Sequence, residues 1–302
     1  MEKVTDAASG DTLPSLAYTT GEVNSADGTV IGYRRVGHGP GLILVHGGMM
    51  ASQGFMKLAT SLADNFTVYV PDRRGRGRSG PHGPAYCLER ESEDMRALVE
   101  HSGAQNIFGL SSGAIVALQS ALAMPDVLRN VALYEPPLAI GTFSPVAWVP
   151  RYERELAAGN LAGAMVTVFK GTGDTSFLNY VPRFLLVPLL RLAIESDARE
   201  ILPGDVPIKA LIPTMHYDAQ LVRETTGQIE RFRSLWGRVL LLGGSRSQTY
   251  LRAALDALQG ILPDARRMEF PGVGHLAAEN DGQPERVANE LRVFFLPDGR
   301  QR

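Results

Sequence analysis

Ser111 sits at the centre of Gly109-Leu110-Ser111-Ser112-Gly113, a setting that suits a nucleophilic serine. An apolar, strand-like run (106–110) leads into it, and a helix-like run of small and aliphatic residues follows. The pattern therefore reads strand, tight turn, helix. Side chains two positions either side of the serine would collide with the neighbouring strand and helix, so glycine is needed at both. Such a turn lifts the hydroxyl above the sheet. It also aims the first amides of the new helix at the same point, where their partial positive charge suits an oxyanion.

Two further strand ends carry polar groups. His46-Gly47-Gly48-Met49 follows the apolar run Leu42-Ile43-Leu44-Val45, and Gly272-Val273-Gly274-His275 follows a last strand at 267–270. In a parallel sheet these ends share one edge with Ser111, where the active sites of open α/β sheets form. A serine hydroxyl is a poor nucleophile without a neighbouring base, and His275 is the candidate for that base. His46 reads as a brace for the turn, while His38, His82, His101 and His216 fall in loops or at helix ends. No spacing of histidines and acids suggests a metal site. Gly75, Gly77 and Gly80 satisfy G-x-G-x-x-G, but Pro81-His82-Gly83-Pro84 follows where a dinucleotide site needs a helix. No cofactor is expected. The arginines of that stretch (Arg73, Arg74, Arg76, Arg78) read as a solvated, ion-paired loop, because interleaved aromatics and a basic overall balance are lacking.

The elements that must position these groups alternate along the chain. Asp27-Gly28 signals a hairpin between 22–25 and 30–36. Helices are expected at 54–62, 89–101, 250–262 and 284–295, and buried strands at 42–45, 66–70, 131–134 and 239–242. Between 138 and 236 no buried strand is evident. Helices are expected there at 146–158, 161–170, 181–194 and 218–234. The expected organisation is a flexible arm at 1–17, an α/β core at 18–137 and 237–302, and a helical cap at 138–236 inserted in that core. A formal net charge of −2 argues against a polyanion-binding protein, and the single cysteine, Cys87, excludes an intrachain disulfide. No run is long enough to span a membrane, so a soluble, cytoplasmic protein is expected. Its partner is expected to be a hydrophobic small molecule rather than nucleic acid or a membrane. The oligomeric state is open.

Together the nucleophile turn, His46-Gly47-Gly48, the Asp72–Ser79 turn and the terminal histidine resemble the α/β-hydrolase superfamily, in its serine-nucleophile, cap-bearing form. The resemblance extends over about residues 20–296. It implies an α/β fold with a mostly parallel central sheet flanked by helices and an inserted cap. It also implies a triad of Ser111, His275 and an acid, with the backbone N–H groups of Ser112 and Gly48 as the oxyanion hole; Gly48 is preferred to Met49. Most members carry an aspartate after the strand that corresponds to 239–242, but here Gly243-Gly244-Ser245-Arg246-Ser247-Gln248 has no carboxylate. Some carry the acid one strand earlier, which here is Glu135. The alternative for Glu135 is a hinge residue paired with an arginine. Asp218 is the reserve acid, with helix capping as its ordinary role.

The cap should set the substrate. Trp148, Phe169, Phe177, Tyr180, Phe184, Leu185, Leu186 and Tyr217 suit a hydrophobic or aromatic compound, beyond those that form the cap's own core. The expected activity is hydrolysis of an ester, thioester or lactone through an acyl-enzyme, with carbon–carbon hydrolysis as a variant. Epoxide and halide chemistry is disfavoured, since those relatives place aspartate at the nucleophile. A lyase, isomerase or cyclase using Ser111 and His275 for proton transfer is the alternative, and a non-catalytic receptor is the third reading.

Overall fold

The computed structural model describes residues 3–4, 18–141, 143–173, 180–235 and 237–296. The strands are β1 (Lys3–Val4), β2 (Thr19–Asn24), β3 (Val30–Val36), β4 (Gly41–Val45), β5 (Thr67–Pro71), β6 (Asn106–Leu110), β7 (Asn130–Tyr134), β8 (Arg238–Gly244) and β9 (Arg266–Phe270). Among the described residues they form one sheet in the order β1-β2-β3-β5-β4-β6-β7-β8-β9. β2 and β3 are the arms of the Asp27-Gly28 hairpin, and β3 is antiparallel to β5. From β5 onward every pairing is parallel. The expected arm at 1–17 lies outside the described residues except for β1, which pairs with β2.

The helices are α1 (Met56–Leu62), α2 (Leu88–Ser102), α3 (Ser112–Ala123), α4 (Val149–Ala157), α5 (Leu161–Thr172), α6 (Arg183–Glu200), α7 (Ile208–Leu211), α8 (Met215–Glu224), α9 (Thr249–Ile261) and α10 (Pro284–Phe295). The strands read as unbroken apolar runs because both faces of the sheet are covered. Leu42, Leu44, Leu240 and Leu242 pack with Leu58 and Leu62 of α1 and Leu291 and Phe294 of α10. Ile43, Val45, Leu133 and Leu241 turn the other way, onto α2, α3 and α9. Each such side chain contributes about 1.5–3 kcal/mol relative to exposure.

Helices α4 to α8 lie between β7 and β8 in the chain and have a cluster of their own around Tyr152, Ala164, Val168, Ile194 and Ile212. Two differ from the sequence expectation. The helix expected at 218–234 is broken: α8 stops at Glu224, and a 3-10 turn covers Ile229–Ser234. Thr225 and Thr226 bond back through their hydroxyls to carbonyls of the last turn, and Gly227 at φ 70° then turns the chain away. α6 outruns the expected 181–194 despite Pro188. Phe184 and Leu185 on its outer face are exposed, as is Tyr180 just before it, and none of the three lines the cavities at Ser111.

The sheet positions the Ser111 turn by close approach. A Cβ on Gly113 would overlap the carbonyl oxygens of Val45 and His46, and one on Gly109 would overlap the Gly113 carbonyl. Gly113→Ala should therefore separate β4 from α3. Overpacking of this kind costs about 1–3 kcal/mol. Thermal denaturation is expected to show a melting temperature lower by several degrees; an unchanged value would mean that the contact relaxes freely.

Candidate active site

Ser111 sits between β6 and α3 at φ 56°, ψ −125°, and its amide donates to the Tyr134 carbonyl at 2.9 Å. Glu135 and Met49 share this unusual backbone, at φ 46° and 52°. Among the described residues these three are the non-glycine positions with positive φ. All three follow adjacent strands of the sheet, β6, β7 and β4. Strain of this kind costs about 1–3 kcal/mol per residue and persists only where the surroundings enforce it.

Glu135 is fully buried. Its Oε2 lies 2.7 Å from Nδ1 of His275, and its Oε1 accepts from the Gly244 amide at 2.7 Å. The glycines after β8 make this possible, because a Cβ on Gly243 would come within 2.9 Å of Oε1. The His275 loop is braced from below, where the Tyr134 hydroxyl donates to the Gly274 carbonyl at 2.9 Å. Glu135 is thus the acid beside His275, and among the described residues it forms no ion pair with an arginine. Ser111, His275 and Gly48 line two cavities in common, of about 270 and 50 Å³. Ser112 opens α3, so its amide lacks an acceptor within the helix.

Asp218 departs from its expected capping role. It projects from the first turn of α8 into a buried cluster, with Oδ1 2.8 Å from Arg73 Nη1 and Oδ2 2.6 Å from Arg76 Nη2. The Ser112 hydroxyl donates to Oδ1 at 2.8 Å and accepts from Arg73 Nη1 at 3.0 Å. Arg73 also forks onto Glu91, which accepts from the Tyr86 hydroxyl. Burial pushes the Asp218 carboxyl up, but Arg76, Arg73 and the Ser112 hydroxyl outweigh it and hold it at about 2.

The arginine stretch is therefore not solvated. Arg73, Arg74 and Arg76 are buried, Arg74 pairing with Asp94, and only Arg78 of the four is exposed. Sequence offered no local sign of this, because the carboxylates that meet Arg73 and Arg76 come from α2 and α8. His46 braces the turn. Its Nε2 accepts the Arg73 amide at 3.2 Å, so the proton sits on Nδ1, 3.0 Å from the Gly47 carbonyl. Burial, with Arg76 and Arg73 nearby, holds His46 well below its usual range and hence neutral. His82 stacks on Tyr217, His101 bonds Tyr33, and His216 pairs with Glu153.

Of the expected lining residues, Phe169 and Trp148 do face the two cavities. Leu186 is buried within its helix packing, and Tyr217 is taken up by His82 and Tyr86. Phe177 lies outside the described residues. The larger cavity is lined instead by methionines (Met49, Met50, Met165 and Met215), which suit an adaptable apolar site. Among the described residues no helix is long and apolar enough to cross a membrane.

The sequence pattern of the alpha/beta hydrolase family matches residues 42–290. An alpha/beta hydrolase from Sphaerobacter thermophilus superposes with a TM-score of 0.72 at 30% identity, over 91% of this chain and all of that one. The uncharacterized hydrolase YraK of Bacillus subtilis is 34% identical over 113 residues, which is 36% of this chain and 42% of that protein's length. The pimeloyl-[acyl-carrier protein] methyl ester esterase of Chromobacterium violaceum is 26% identical over 80% of this chain and 89% of its own.

The Asp218 carboxyl is held below its unfolded value of 3.8, so its stabilisation is present above that pH and lost as pH falls toward 2. The difference corresponds to about 2 kcal/mol. Asp218→Asn should reduce stability at pH 7 by about 3 kcal/mol, since it leaves a buried cation short of a partner. It should also flatten the loss of stability between pH 4 and 2. Urea denaturation across that range checks both; an undiminished acid slope would show that the carboxylate is not the group being titrated.

Proposed function

Because this chain belongs to the alpha/beta hydrolase family, we propose that it is a hydrolase and cleaves an ester, thioester or lactone of a hydrophobic small molecule through an acyl-enzyme on Ser111. The observation that carries this reading is the buried Glu135–His275 pair, at 2.7 Å, on the same sheet edge as Ser111. It supplies the acid that the loop after β8 lacks. With an acid beside His275, the pair favours hydrolysis over the proton-transfer alternative. A named methyl ester esterase among the relatives lends further support.

In this reading Glu135 fixes the ring of His275 through Nδ1 and leaves Nε2 to take the Ser111 proton. The Ser111 oxygen attacks the substrate carbonyl, and the amides of Gly48 and Ser112 receive the developing negative charge. His275 then returns the proton to the departing alcohol or thiol. Water, deprotonated by the same histidine, attacks the acyl-enzyme and releases the acid. Glu135 stabilises the imidazolium through the hydrogen bond at Nδ1. Residues 138–236 act as the cap, and their cavities suit a substrate with unequal arms. The methionine-lined cavity of about 270 Å³ takes the larger arm, and the cavity of about 50 Å³ beside Trp148 takes the smaller.

Intact-protein mass after exposure to a small fluorophosphonate tests the chemistry. One adduct is expected on the wild type and none on Ser111→Ala or His275→Ala; a folded wild type that stays unlabelled would overturn the reading. Glu135→Gln should label more slowly by about three to four orders of magnitude, as for loss of the acid in other serine triads. An unchanged rate there would remove Glu135 from the triad and leave a Ser111–His275 dyad. Among p-nitrophenyl esters, medium-length acyl chains should be turned over faster than acetate.

A further inference from the structure

The peptide between Gly47 and Gly48 is trans, so its carbonyl and its N–H point in opposite directions. The carbonyl oxygen is held by Arg76, whose Nη1 donates to it at 3.0 Å, and by His46 Nδ1 at 3.0 Å. Both donors are buried in the ionic cluster, away from the cavities. The N–H of Gly48, opposite that carbonyl, therefore points away from the cluster, and Gly48 lines both cavities with Ser111 and His275. Arg76 Nη1 also reaches the Met50 carbonyl at 3.3 Å, so one guanidinium spans the whole turn after β4.

We propose that Arg76 is a positioning residue for the oxyanion hole, and that Asp218 on α8 is what holds it in place. The guanidinium draws electron density from the Gly47 carbonyl, and a polarised peptide is a stronger donor at its other end. Asp218 fixes Arg76 through Oδ2 at 2.6 Å. Through Oδ1 it accepts from the hydroxyl of Ser112, the residue that bears the second amide, at 2.8 Å. One carboxylate thus orients both donors. That carboxylate belongs to the segment inserted between β7 and β8, so seating of the cap and readiness of the oxyanion hole are a single condition. Arg76 touches no reacting atom. It acts through the Gly47–Gly48 peptide.

This inference rests on the serine-hydrolase reading for its kinetics but not for its spectroscopy. The variants are Arg76→Met, Arg76→Lys, and Arg76→Met with Asp218→Asn. The last removes one charge of each sign and leaves Arg73 paired with Glu91, so it keeps the cluster neutral. Two quantities are read on folded protein: kcat and KM on a p-nitrophenyl ester, and the ¹H–¹⁵N resonance of the Gly48 amide. Both methionine variants are expected to lose about 10- to 100-fold in kcat with KM nearly unchanged, a fraction of the loss of a whole oxyanion donor. Their Gly48 amide proton should move upfield as polarisation is lost. Arg76→Lys keeps the cation but not the fixed fork, and should recover part of both effects. An unmoved Gly48 resonance in the folded double variant would overturn the inference, as would a change confined to KM. If the wild type hydrolyses no ester, the hydrolase reading fails by itself. The Gly48 resonance then still decides whether Arg76 governs this peptide.

Discussion

The site depends on a backbone constraint at one edge of the sheet. Non-glycine residues at positive φ follow three neighbouring strands: Ser111 and Glu135 directly after β6 and β7, and Met49 in the turn after β4. None would adopt that backbone in isolation. Two of them are held by the neighbouring strand: the Ser111 amide by the Tyr134 carbonyl, and the Glu135 amide by the carbonyl of Leu242. The strain is thus supported by the ladder of the sheet itself. The turn at Ser111 fits only because Gly109 and Gly113 let β6 and α3 press against each other and against β4. A strained serine and a strained glutamate one strand apart are what bring a hydroxyl and a carboxylate to the same edge.

Beneath that edge lies a second constraint, electrostatic rather than steric. Arg73 and Arg76 are almost completely buried and are balanced by Glu91 and Asp218. Burying such charges is costly unless each finds a partner, and losing one partner leaves the other stranded. The cluster is therefore all-or-none, and it spans β4, the turn after β5, α2, α3 and α8. Its donors and acceptors include the Gly47 carbonyl and the Ser112 hydroxyl. The geometry of the turn after β4 and the seating of α8 are consequently fixed together. Other ties work in the same direction: the Gln220 amide donates to the Tyr86 carbonyl, and the Leu88 amide donates to Glu224.

The segment between β7 and β8 divides its apolar residues three ways. Some fill its own core, some face the cavities at Ser111, and the outer face of α6 is exposed. Composition alone cannot make that division, because a buried and an exposed leucine on one helix differ only in angular position. It assigned Phe184 and Tyr180 to a lining that methionines from the turn after β4, α5 and α8 provide instead.

The sequence by itself determined the alternation of strands and helices, the turn at Ser111 and the order of the strand-end groups. Those features are local: a tight turn between strand and helix accepts only glycine at certain positions, and strands covered on both faces must be apolar throughout. The identity of the carboxylate beside His275 and the fate of the arginines were decided by the tertiary structure. Glu135 meets His275 across 140 positions of chain, and Asp218 meets Arg76 across 142. The first meeting depends on β7 lying beside β8, and the second on where α8 settles over the sheet edge. A carboxylate carries no mark of its partner in the sequence; only the burial that strips away its water makes one cation or one imidazole its necessary neighbour.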